Sequence, residues 1–152
     1  MIRQISHNKN LLATAIINKK IKKNFNKKKG IKFFTDSILP LQIGSICYPL
    51  NHVIKSHFHK NISFKTNRKI EILFILDGKI RADFYTLKNR YFKSYIFKKG
   101  DILILYGYGH GFKVMSKNLK IYELKLGKYS SKTDKVEIKN NIKNINYLKF
   151  NE

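Results

Sequence analysis

Short apolar, β-branched runs follow one another at close and nearly even spacing through the second half of this chain, and that rhythm limits the fold more than any other feature. Residues 70–76, 79–87, 91–97, 101–106, 111–115 and 119–126 each read as a strand. Asp77-Gly78 between the first two is a turn of the kind that closes a hairpin, and Lys99-Gly100-Asp101 marks another bend. Further upstream, residues 11–18 form a compact apolar run that reads as a buried strand. Residues 31–35 and 42–48 are shorter strand candidates, with Pro40 and Pro49 limiting what surrounds them. Residues 52–60 are expected to form a strand carrying histidines, followed by a polar insertion over 60–69. Helical periodicity is almost absent. The pattern predicts an all-β protein, an antiparallel sandwich or barrel.

The 152 residues suit one domain with a single sizeable core. The expected organisation is an N-terminal strand and basic loop over 1–30, a barrel over 31–137 and a polar tail over 138–152. Within the first part, residues 19–30 are polar and read as a loop or a frayed helical turn, punctuated by Gly30. In the tail only Tyr147, Leu148 and Phe150 offer anchors. The one cysteine, Cys47, lies in an apolar run and reads as a small core residue rather than a nucleophile. The N-terminus lacks an apolar stretch of signal-peptide length before charges appear, and no segment has the length of a membrane helix. The expectation is a cytoplasmic protein with no membrane partner.

A net charge of +23 invites a nucleic-acid reading. Of the 32 basic residues only four are arginine, the residue best suited to bidentate phosphate and base contacts. The lysines spread along the whole chain and accompany abundant isoleucine and asparagine, as compositional drift would produce. The densest basic cluster, residues 19–32, lacks the interleaved aromatics of a stacking platform. A solvated basic surface is therefore the expectation, and nucleic-acid or other polyanion binding the remote alternative.

Four residues carry a possible chemistry. His57 and His59 are two apart, so a strand would point both imidazoles to one side. Glu71 opens an apolar strand, where a carboxylate is costly unless paired or metal-bound. His110 sits in Gly107-Tyr108-Gly109-His110-Gly111, where glycines permit the backbone turns that aim a side chain inward. Three imidazoles and one carboxylate would suit one divalent transition metal, zinc, iron, manganese or nickel. Glu123 and Lys125 share a strand face and are candidates for acid–base work or for binding a polar substrate. Arg81 and Asp83 form a similar pair that reads as a simple ion pair. Tyr106, Tyr108 and Tyr129 could line a pocket mouth, whereas His7 and His52 look incidental.

The histidine pair, then Glu71 leading to Gly78, then Gly100 with an apolar strand to His110, resembles the two sequence motifs of the cupin superfamily. The interval from His59 to Glu71 is longer than the motif's, and Tyr106 stands where its second half usually has proline. The resemblance implies a double-stranded β-helix, the cupin jelly-roll barrel, with His57, His59, Glu71 and His110 as metal ligands. Residues 10–137 also resemble a subgroup of small bacterial cupins, through Gly30-Ile-Lys-Phe-Phe-Thr35, Asp83-Phe84-Tyr85, Gly109-His110-Gly111-Phe112 and Asp134-Lys135. Members of that subgroup are encoded among surface-polysaccharide and nucleotide-sugar genes. A site of three His and one Glu with open positions could polarise a carbonyl or bind oxygen, so the expectation is a metal-dependent enzyme acting on a sugar-like or other polar small molecule, of isomerase, epimerase or oxygenase type. A non-catalytic metabolite-binding cupin is the alternative, and homodimerisation is left open.

Overall fold

In the computed structural model, which describes residues 1–18, 29–63, 65–130 and 134–139, ten strands follow in sequence. They are β1 (Ile2–His7), β2 (Asn10–Ile16), β3 (Gly30–Phe33), β4 (Gly44–Cys47), β5 (Glu71–Asp77), β6 (Lys79–Tyr85), β7 (Tyr91–Lys98), β8 (Ile102–Leu105), β9 (His110–Val114) and β10 (Lys120–Lys125). They form a five-stranded sheet ordered β1-β2-β8-β5-β10, a three-stranded sheet ordered β7-β6-β9, and a separate ribbon of β3 and β4. All pairings are antiparallel. The protein is all-β, and none of the three sheets closes into a barrel. Among the described residues no helix is long and apolar enough to cross a membrane.

The even spacing of apolar runs becomes a two-layer arrangement for a simple reason. On β2, β5 and β8, alternate residues (Ala13, Ala15, Leu73, Ile75, Leu103 and Leu105) meet Ile80, Ala82 and Phe84 of β6 and Phe97 of β7 in one core between the two large sheets. The intervening residues Ile16, Ile72 and Ile104 join Ile70 and Tyr106 on the opposite face, covered by Phe34, Leu39, Leu41 and Ile43. The five-stranded sheet is thus buried on both sides over β2, β5 and β8. That explains why these strands read as continuous apolar runs rather than alternating ones. Phe84 and Phe97 are essentially inaccessible, and each such burial stabilises the fold by about 1.5–3 kcal/mol. Inside the second core the Thr14 and Tyr106 hydroxyls bond to each other at 3.0 Å.

Two turns hold the register. Gly78, at φ 78°, links β5 to β6; a Cβ there would come within 2.8 Å of the Asn118 carbonyl oxygen and 2.3 Å of Ser116 Oγ. Before β8, the buried Asp101 accepts backbone N–H groups of Asn18 and Lys98, both at 3.0 Å, and so ties the end of β2 to the β7–β8 turn. Burial raises its carboxyl above the usual range, against those two bonds.

Three expectations are corrected. Residues 52–60 form no strand; this stretch is exposed and belongs to no sheet. Residues 1–10, where no strand was expected, contain β1, whose hairpin to β2 turns at Asn8 and Lys9 with φ of 46° and 64°. Cys47 is only half-buried, at the end of the β3–β4 ribbon and outside both cores. The expected Arg81–Asp83 ion pair forms, bidentate at 2.8 and 2.9 Å, and Asp83 is buried and accepts from Ser94 as well. The loop or helical turn expected over 19–30 and the tail over 138–152 lie largely outside the described residues.

Candidate functional site

The strand register assembles the site. Glu71 stands opposite Leu105 on one side and Lys125 on the other. It shares a strand face with Leu73 and Ile75, so its carboxylate points between the sheets. Glu123, opposite Leu73, is on the same face. In the facing sheet His110 pairs with Phe84, another residue of the inter-sheet core, so its ring enters the same space from the other layer. The two sheets therefore bring Glu71 and His110 together at one open end of the sandwich. Glu71 Oε2 lies 3.3 Å from His110 Nε2, and Glu71 Oε1 lies 3.0 Å from Lys125 Nζ.

Lys125 is the hub of a wider ionic cluster. Its ammonium also lies 3.4 Å from Glu123 and 3.3 Å from Asp134. Asp134, whose side chain is almost inaccessible, pairs in turn with Lys69. Lys69 further donates to the Lys128 carbonyl at 3.1 Å. Desolvation pulls the Lys125 pKa down, but the hydrogen bond and charge of Glu71, with those of Glu123, more than reverse this and raise it. Lys125 is consequently a fixed positive charge and not a base. The Glu71 carboxyl is lowered from 4.5 to about 2, first by its hydrogen bond with His110, against desolvation, and then by Lys125.

His110 Nδ1 lies 2.9 Å from the Tyr108 carbonyl oxygen. A carbonyl only accepts, so Nδ1 carries a proton; Nε2 faces a carboxylate and is placed to donate as well. The Nε2 contact is longer than the 2.7–2.9 Å typical of charge-assisted bonds.

Lys69, Glu71, His110, Glu123 and Asp134 of this cluster line a cleft of about 1010 Å³, with Tyr85, Tyr108 and Phe112 on other parts of its surface. Burial, and then the charge of Asp83, raise the Tyr85 phenol, so it remains a proton donor at neutral pH. Arg68 stacks on the Tyr108 ring at 4.2 Å and separates this cleft from a smaller pocket of about 300 Å³ on the other face of the five-stranded sheet.

The structure thus places Glu71, His110 and Glu123 on the surface of one cleft, with the Lys125 ammonium ion-paired to Glu71 and Glu123. His57 and His59 are exposed on the segment after β4. Their rings meet edge to face at 5.1 Å, and His57 Nδ1 bonds the Lys55 carbonyl. Among the described residues no group of three or more His, Cys, Asp or Glu side chains could hold a metal ion. The expected four-ligand set does not fit here: both His110 nitrogens are engaged, and the Lys125 ammonium sits against the Glu71 carboxylate where a divalent cation would be repelled. Tyr106 lies in the second core, and Tyr129 is exposed with Lys125 over its ring at 5.5 Å. Sequence reasoning gave no role to Lys69, Tyr85 or Asp134. Lys69 precedes Glu71 by two positions, a spacing that hints at a shared face; Asp134 entered only through the Asp134-Lys135 part of the subgroup resemblance, with no role attached.

Comparison with known proteins finds no match. No family model, curated protein or solved structure is similar to the chain. The likeness to cupins rests on the motifs alone.

Proposed function

We propose that the cleft is the active site of a small-molecule enzyme that moves protons on a polar, sugar-like metabolite, in an isomerisation or epimerisation. One observation carries this reading: a carboxylate–imidazole pair, Glu71 and His110, meeting across two sheets at 3.3 Å beside a fixed ammonium. Such reactions need a group that exchanges a proton with carbon or oxygen and a positive field for the oxyanion that develops. His110 is the proton carrier. Glu71 and the Tyr108 carbonyl orient its ring, and Glu71 stabilises the imidazolium. Lys125 supplies the field, Tyr85 a second proton donor, and half-exposed Glu123 a base or a partner for substrate hydroxyls. We further read the two sheets as part of a cupin-type double-stranded β-helix. In support, β5 to β10 pass back and forth between the layers.

The test is solvent deuterium exchange. Keto- and aldo-sugars and their nucleotide-linked forms, incubated with the protein in heavy water, are expected to gain deuterium beside the carbonyl with at least one compound. His110→Asn should abolish the exchange and Lys125→Met should slow it by about 10²-fold or more. Exchange that persists in His110→Asn refutes the assignment.

A further inference from the structure

We propose that two copies of this chain exchange the arm formed by residues 48–63, each arm adding a strand to the open edge of β9 in the partner and walling off the partner's cleft. The arm has the chemistry of a strand without a sheet. In an extended chain Ile54, Phe58 and Ile62 share one face, with Ser56 and Lys60 between them, while Lys55, His57, His59 and Asn61 lie on the other. Yet no strand forms there, and Phe58 and Ile62 are 87% and 82% exposed. Among the described residues its backbone–backbone bond is a local turn, from His52 N–H to the Pro49 carbonyl.

The complementary feature is a sheet edge without a strand. Among the described residues β9 ends the three-stranded sheet, and β10 ends the five-stranded sheet beside it. Phe112 and Val114 pair with Ala82 and Ile80, residues of the inter-sheet core, yet are themselves 41% and 58% exposed. The cleft is the gap between these edges, lined by Phe112 on one side and Ile121 and Glu123 on the other. An unpaired edge bordered by apolar side chains is a template for strand addition.

A second copy fits better than the arm's own body. The arm is exposed from residue 50 to 63 and pairs with no strand of its own body, and its sixteen residues extend to roughly 50 Å at about 3.3 Å per residue, enough to cross to a neighbour. Reciprocal exchange would engage about two dozen residues on each copy, arm plus edge strands, which is the size of a stable interface. Exchange is also isologous, so it closes at two copies. Each copy carries +23, so like charge opposes pairing and added salt should promote it.

The experiment combines sedimentation with cross-linking. The wild-type chain is expected to be dimeric at micromolar concentration, with affinity rising severalfold from low to high salt. Phe58→Lys, at a position that touches neither core, should be monomeric with an unchanged β-type circular dichroism spectrum. In a Cys47→Ser background, chains carrying Phe58→Cys mixed with chains carrying Val114→Cys should form a disulfide-linked heterodimer on oxidation. The inference is overturned if the wild type is monomeric at every salt concentration, or if it forms open-ended oligomers. It is equally overturned if Phe58→Lys dimerises like the wild type, or if a chain carrying both cysteines closes on itself. A monomer with intact deuterium exchange would remove the dimer and leave the acid–base reading standing.

Discussion

Replacing Glu71 with glutamine tests whether the Glu71–His110–Lys125 cluster is built as described. The folded protein holds this carboxyl at about 2 against its ordinary 4.5. Taken at full value, a depression of that size is worth about 3 kcal/mol. The cleft is open to water and salt, which screen the pair, so about 2 kcal/mol is the expected contribution. The sign follows from the direction of the shift. A carboxyl lowered in the folded state stabilises fully above its unfolded pKa of 4.5, and the contribution is lost as pH falls towards about 2. Glutamine is a near-isostere of the protonated acid, so the variant should lack this contribution at every pH. Urea unfolding followed by circular dichroism should therefore place Glu71→Gln about 2 kcal/mol below the wild type at about pH 6, equivalent to a melting temperature lower by about 4–8 °C. The gap should shrink between 4.5 and about 2 until the two proteins converge. Other carboxyls titrate in that range too, but they are common to both chains and cancel in the difference. A gap that is absent at about pH 6, or unchanged on acidification, refutes the reasoning.

Other outcomes follow from single features. Gly78→Ala should cost about 1–3 kcal/mol in urea unfolding, because it strains a positive φ and drives a Cβ against the backbone of Asn118. Phe97→Ala, at a fully buried position, should cost about 3–5 kcal/mol and leave a cavity between the sheets. Asp83→Asn should lose about 3 kcal/mol or more, since it leaves the Arg81 guanidinium without its bidentate partner. Chelation should leave the melting temperature unchanged; a clear drop would reinstate a bound metal. Duplex DNA should bind weakly and without sequence preference, and release near physiological salt.

The fold was legible where one physical cause dominated. From Glu71 to Lys125 the strands are flanked by turn residues and all but β9 contribute to a core, so apolar runs and Gly-containing turns marked the elements to within a few residues. β1 escaped because it is an edge strand: only Ile5 in it is buried, and Arg3, Gln4 and Ser6 dilute the apolar signal. Its one clear mark was Asn8 at the hairpin turn, a residue that tolerates positive φ. Residues 52–60 failed in the opposite sense. The histidines two apart and the apolar Val53, Ile54 and Phe58 suggested a strand, but a strand exists only against a partner, and a pattern along one chain says nothing about where that partner lies.

The site divides along the same line. Glu71, Glu123 and Lys125 could be read because an i, i+2 spacing and an anomalous charge at a strand start are local facts. That Glu71 would find His110 depends on two layers meeting, and only the order of histidine and glycine along the chain suggested it. The ammonium against Glu71 was beyond reach, because it depends on β5 and β10 pairing with Glu71 exactly opposite Lys125. That single register decides the chemistry. Slipping β10 by one residue would turn Lys125 away from the cleft, leaving Glu71 and His110 facing each other with room for a cation. With the register as it stands, the positive charge that a metal would have brought is already supplied by the chain.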